Sequence, residues 1–171
     1  VAFMRGAMYE RMKDYGRAEA EFRKVLAADP DNASALNYLG YMFADRGVRL
    51  EEAYKLISRA LELDPNNGAY LDSLAWVYYH QGRLAEAESL LLRSLERIGK
   101  DPTVHDHLGD VYFKRGKTRE AILQWQASLK AWEAASQAES DPAEIASVTK
   151  KLEKAKVRLA REAGKPETGK P

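Results

Sequence analysis

The chain has no cysteine, which excludes disulfides, thiolate zinc sites and a cysteine nucleophile, although either redox compartment tolerates a Cys-free protein. No apolar run approaches the roughly 20 residues that a membrane-spanning helix needs, so no membrane insertion by this segment is expected. A dominant charge is also missing. A net charge of +1 over 171 residues creates no global field towards nucleic acid or membrane. No glycine-rich loop follows a strand, no histidine neighbours a serine and an aspartate in a plausible relay, and the many carboxylates have no cleft between them. No catalysis, cofactor or metal is therefore expected. His105 and His107 stand two residues apart on a helix, so they point in different directions and are read as non-ligands.

What charge there is lies unevenly. From Val148 to Pro171 there are eight Lys or Arg against three Glu, a surplus of five positive charges. That leaves residues 1–147 at −4, a mildly acidic body with a basic end.

The body is periodic. Gly6, Gly40, Ala75 and Gly109 recur at intervals of 34, 35 and 34 residues. Tyr9, Phe43, Tyr78 and Tyr112 keep the same step, and Ala18, Ala53, Ala87 and Ala121 keep it to within one residue. A period near 34 with small, aromatic and alanine positions in phase predicts stacked helical hairpins, each burying its apolar face against a neighbour. In the second hairpin, Asp31 or Asn32 caps helix A, Gly47 ends it in the left-handed conformation, and helix B stops at Asp64-Pro65. Gly40 is expected to face Ala53 where the two helices approach closely, with Phe22, Ile57, Leu91 and Trp125 closing the core between hairpins. After a polar break at Gln137-Ala-Glu-Ser, Asp141-Pro142-Ala143-Glu144 reads as a helix start. The stripe Ile145, Val148, Leu152, Ala155 and Leu159 then predicts a terminal helix with its apolar side on the last hairpin and its charged side to water. The final residues, from Gly164 on, are expected to be disordered.

These residues resemble the tetratricopeptide repeat (TPR) family. The second repeat supplies Leu36, Leu39, Gly40, Phe43, Ala53, Ile57, Ala60 and Pro65; the third Leu71, Leu74, Ala75, Tyr78, Ala87, Leu91 and Ser94. The fourth supplies Leu108, Gly109, Tyr112, Ala121, Trp125 and Ser128, and a partial first has Gly6, Tyr9, Ala18, Phe22 and Pro30. The third lacks the closing proline and has Gly99 there. The resemblance implies an all-α fold: a right-handed α-solenoid of stacked antiparallel helix pairs, the TPR superhelix, with a C-terminal capping helix. The expected boundaries are 1–32, 33–67, 68–101 and 102–138 for the repeats, 141–163 for the capping helix and 164–171 for the tail. The first repeat looks truncated, so the chain is read as a fragment of a longer protein. The stretches around Gly40, Trp76 and Asp110 are similar to the C-terminal repeats of bacterial TPR proteins, which implies a bacterial source and a cytoplasmic or exported, envelope-associated location.

The resemblance also implies that helices A line a concave surface. It places Asn37, Tyr41 and Asp45 there from the second hairpin, and Asp72, Trp76, Tyr79 and His80 from the third. Asp106, Asp110, Phe113 and Lys114 come from the fourth, and Phe3, Ala7, Glu10 and Arg11 from the first. Aromatic side chains supply large contact area at low entropic cost, and the carboxylates favour a segment carrying Lys or Arg. The expected function is a non-enzymatic scaffold that binds a protein or peptide in this aromatic and acidic groove, not one that clamps a terminal carboxylate. Removing Trp76 and Tyr79 together is expected to abolish capture while shifting the melting temperature little. Two other readings stand beside it. One is self-assembly, a homo-oligomer formed through the open N-terminal end or the Ile145–Leu159 stripe. The other is an RNA-binding helical repeat, which the acids oppose because such repeats need positive grooves; no nucleic acid is expected.

Overall fold

The computed structural model describes residues 1–136 and 140–164, and the described residues form nine α-helices and no strand. The expected break at 137–140 lies outside them except for Ser140, and the expected tail at 164–171 except for Gly164. The chain divides into two compact units, Val1–Arg97 and Ile98–Pro171.

Unit 1 contains α1 (Ala2–Arg11), α2 (Tyr15–Ala28), α3 (Ala33–Asp45), α4 (Leu50–Leu63), α5 (Gly68–His80) and, but for its last residue, α6 (Leu84–Ile98). Helix α1 packs on α2 and α3 on α4, and α3 also lies against α2 and α5. Their shared core includes Ala18, Phe22, Leu39, Phe43, Ala53, Ile57 and Val77. The close approach expected at Gly40 is there: a Cβ at that position would come within 2.6 Å of Ile57 Cγ1 and 3.1 Å of the Ala53 carbonyl oxygen. Local caps set the helix starts. Asn32 Oδ1 accepts from Ala35 N at 3.0 Å, and Asn67 Oδ1 accepts from Ala69 and Tyr70 N. Asn32 therefore caps α3, while Asp31 binds Arg59 at 2.7 Å. Ser94 Oγ donates to the Gly68 carbonyl at 2.7 Å and ties α6 to the start of α5.

The turn after α1 departs from its counterparts. Gly47 and Gly82 take left-handed φ values of +63° and +78°, whereas the first turn asks Lys13 to adopt φ 59°. The extra residue between Gly47 and Ala53 is absorbed by Arg49, also left-handed at φ 50°.

Unit 2 contains α7 (Pro102–Lys114), α8 (Thr118–Ala134) and α9 (Pro142–Ala163). Asp101 and Asp141 cap α7 and α9, each ahead of a proline in the first turn. The core joins Ala121 and Trp125 of α8 to Val148, Leu152 and Ala155 of α9. The apolar side of α9 thus packs as its stripe predicts at Val148, Leu152 and Ala155, while Ile145 and Leu159 at its ends are half-buried. Its charged side does not all face water, because Lys151 turns inward.

Candidate functional site

In unit 1, α3 and α5 bring Asp45, Trp76, Tyr79 and His80 together. The Trp76 indole lies parallel to the Tyr79 ring, with centroids 4.5 Å apart and planes 7° from parallel, and His80 meets both rings edge-on. Trp76 Nε1 donates to Asp45 Oδ1 at 3.2 Å. Asp45 is exposed, whereas Trp76, Asp72 and Asn37 are buried and Tyr41 and Tyr79 are half-buried. Asn37 Oδ1 is buried and accepts no hydrogen bond from the described residues.

Trp76 retains only 7% of its exposure and belongs to the core of unit 1. That corrects the expectation of little thermal cost on its removal, since truncating a buried tryptophan typically costs about 3–5 kcal/mol.

Glu10 of α1 joins this cluster electrostatically. Burial raises its carboxyl above the usual carboxylate range, and the Asp45 charge raises it further, with Arg11 opposing. Neither Glu10 nor Asp45 has an ion-pair partner among the described residues. Two carboxylates here repel each other in a partly dry place with no cation held between them.

In unit 2, Asp106 and Asp110 lie on one face of α7, four residues apart. Lys151 of α9 closes them: its Nζ donates to Asp106 Oδ1 at 2.9 Å, Asp106 Oδ2 at 2.8 Å and Asp110 Oδ2 at 2.7 Å. Burial pushes the Asp110 carboxyl up to about 6, Asp106 adds to this, and Lys151 works against it. On Lys151, burial acts to lower the ammonium, but Asp110 and Asp106 outweigh it and hold it above the usual lysine value. Phe113 is half-buried against Trp125 at 5.6 Å, and Lys114 is exposed. The two acids expected to attract a basic segment are therefore occupied by the chain's own lysine.

Sequence reasoning missed Lys151 because it counted the lysines of α9 as a solvated face. Its place three residues after Val148 and beside Leu152 was the available signal: it borders the apolar stripe. His105 Nδ1 lies 2.8 Å from Gln124 Oε1 and His107 is buried at 4% exposure. Among the described residues no three His, Cys, Asp or Glu side chains gather as metal ligands. No described helix is long and apolar enough to cross a membrane.

Comparison with known proteins places this geometry. Two family models, each described as tetratricopeptide repeat, match residues 3–68 and 49–111. A TPR repeat-containing protein of Pseudomonas aeruginosa is 45% identical over 85 residues, half of this chain and 14% of that protein. The chain thus covers a small part of that relative's length. Among solved structures, the Cut9–Hcn1 hetero-tetramer of the APC/C superposes with a TM-score of 0.82 at 21% identity, over 93% of this chain and 30% of that one. PilW, a type IV pilus biogenesis factor, gives 0.69 at 21% identity over 97% and 78% of the two chains. MamA from Desulfovibrio magneticus gives 0.64 at 16% identity over 80% and 76%. At these identities the structures share the all-α helical-repeat fold.

Proposed function

Because the chain belongs to the tetratricopeptide repeat family, whose repeats mediate protein–protein interaction, we propose that it is a non-enzymatic scaffold binding a protein segment that carries Lys or Arg on the acidic, aromatic face of unit 1. The observation that carries this reading is the pair of Glu10 and Asp45, neither with an ion-pair partner among the described residues, beside the Trp76–Tyr79 stack. An arriving ammonium or guanidinium relieves the like-charge repulsion there, and the half-buried Tyr41 and Tyr79 rings offer its aliphatic stem contact area. Lys151 on Asp106 and Asp110 shows the same chemistry satisfied within one chain. Of the other predicted residues of unit 1, His80 belongs to this proposed face by its edge-on contacts with both rings, and Asn37 and Asp72 are assigned to it from their helix positions on α3 and α5.

The experiment is a titration of the chain with labelled lysine-rich and glutamate-rich peptides of equal length. The lysine-rich peptide is expected to bind, and Glu10→Gln with Asp45→Asn is expected to weaken it roughly tenfold through loss of two charge contacts. Equal binding by the double variant, shown to be folded by a cooperative melt, would sink the proposal.

A further inference from the structure

Helix α9 carries Lys150, Lys154, Arg158 and Arg161 at spacings of 4, 4 and 3 residues, which aligns them along one face. At about 1.5 Å of rise per residue this stripe is roughly 16 Å long. Val157 lies in the same stripe and keeps 50% of its exposure. Beside it, the Phe113 ring of α7 has Lys154 Nζ over its face at 5.7 Å and the Arg158 guanidinium at 4.9 Å. Phe113, Lys154, Val157, Arg158, Arg161 and Glu162 line a concavity of about 780 Å³.

The cations of this stripe are unequally committed. Arg158 Nε donates to Glu162 at 2.8 Å. Lys154 has its ring contact, and Lys150 and Arg161 have no ion pair among the described residues. Lys151 is turned to the other side, on Asp106 and Asp110. What remains outward is the exposed Val157 beside the half-buried Phe113, rimmed by Lys150, Lys154 and Arg161, which have no ion pair among the described residues, and by Arg158, already paired with Glu162. An apolar centre with a polar rim is the anatomy of a protein interface.

We propose that this stripe is a second docking surface, for an acidic protein segment whose apolar or aromatic side chain sits on Phe113 and Val157 while its carboxylates meet Lys150, Lys154 and Arg161. Glu162 in the lining favours a peptide over a nucleic acid: a phosphodiester chain carries charge at every nucleotide and would meet that carboxylate, whereas a peptide can set its uncharged residue there. A membrane surface is disfavoured because Val148, Leu152 and Ala155, the apolar side of α9, are buried in unit 2 and leave no face to insert. The surface is opposite in sign to the Glu10–Asp45 face and lies in the other unit, so either can fail without the other.

The test uses the full chain with three probes: a fluorescent peptide of Glu and Asp with one central Phe, a single-stranded RNA oligonucleotide, and phosphatidylglycerol vesicles. The acidic peptide is expected to bind, and Lys154→Glu with Arg161→Glu, both exposed, to weaken it at least tenfold at an unchanged melting temperature. Val157→Ser is expected to weaken it a fewfold, and Glu10→Gln with Asp45→Asn to leave it untouched. Replacing the central Phe of the peptide by Ser should act like Val157→Ser and needs no change in the protein. Absence of peptide binding, binding indifferent to the double charge reversal, or tighter binding of RNA or vesicles would each overturn the proposal.

Discussion

Two acidic pairs sit on the first helices of their hairpins, and the chain treats them differently. In unit 2, Asp106 and Asp110 are bridged by Lys151 through three hydrogen bonds of 2.7 to 2.9 Å. In unit 1, Glu10 and Asp45 have no ion-pair partner among the described residues; Asp45 instead accepts the Trp76 indole N–H. Both pairs contain a carboxyl raised by burial and by its neighbour, so both sites hold repulsion that a cation relieves. The difference is that unit 2 supplies its cation from a helix about 40 residues further on, while unit 1 places no ion-pair partner on Glu10 or Asp45 among the described residues. Within the basic C-terminal stretch, Lys151 neutralises two acids of α7 and Arg158 pairs with Glu162, while Lys150 and Arg161 have no ion pair among the described residues.

The largest test of this contrast breaks the anchor of each pair. Trp76→Ala should lower the unfolding free energy by about 3–5 kcal/mol, as for other buried tryptophans, and release Asp45 from the indole N–H it accepts. Chemical denaturation measures it; a loss under about 1 kcal/mol would mean that the stack is not part of the core. Lys151→Met should cost somewhat less, about 2–3 kcal/mol at pH 8, because it strands two carboxylates of which the flanking protein hides most. At pH 5 the same substitution should cost less, since Asp110 then takes up a proton.

The pH dependence of unit 2 has a definite sign. The Asp110 carboxyl stands near 6 in the folded chain and near 3.8 unfolded, so the folded state binds this proton more tightly. Stability from this group is complete below about 4 and is lost as pH rises through 6. Asp110→Asn should remove that slope and gain on the order of 2 kcal/mol relative to the parent between pH 4.5 and 8. Thermal melts across that range would show it; parallel profiles for parent and variant would exclude Asp110 as the titrating group.

Much of the fold could be read before any coordinates. Gly40 and the alanines at Ala53 and Ala87 recur because two helix backbones can approach only over small side chains, and that constraint repeats with the period. The burial of Trp76 could not be read in the same way. Helix α5 buries every residue from Tyr70 to Val77, so it lacks the exposed face that periodicity needs to separate an outward tryptophan from a core one. Lys151 escaped for another reason: its partners are 41 and 45 residues away. Whether a lysine at the edge of an apolar stripe bends outward or inward depends on what stands opposite, which no local pattern encodes.

The smallest effect is the sharpest on the comparison itself. If Glu10 is raised by burial and by Asp45, then Glu10→Gln removes an unfavourable charge, and it should stabilise the chain by no more than about 1 kcal/mol, because the site is half-open and solvent screens it. The gain should appear above the titration of Glu10 and vanish at lower pH, the same sign as Asp110→Asn with a smaller amplitude. The two gains should respond oppositely to a basic ligand. A lysine-rich peptide, by supplying the missing cation to unit 1, should stabilise the parent and erase the advantage of Glu10→Gln, while the advantage of Asp110→Asn persists because Lys151 already occupies that place. Melting curves with and without peptide decide it. An advantage of Glu10→Gln that survives saturating peptide would mean that the ligand's charge never reaches this pair, and the two acidic pairs would differ only in their burial.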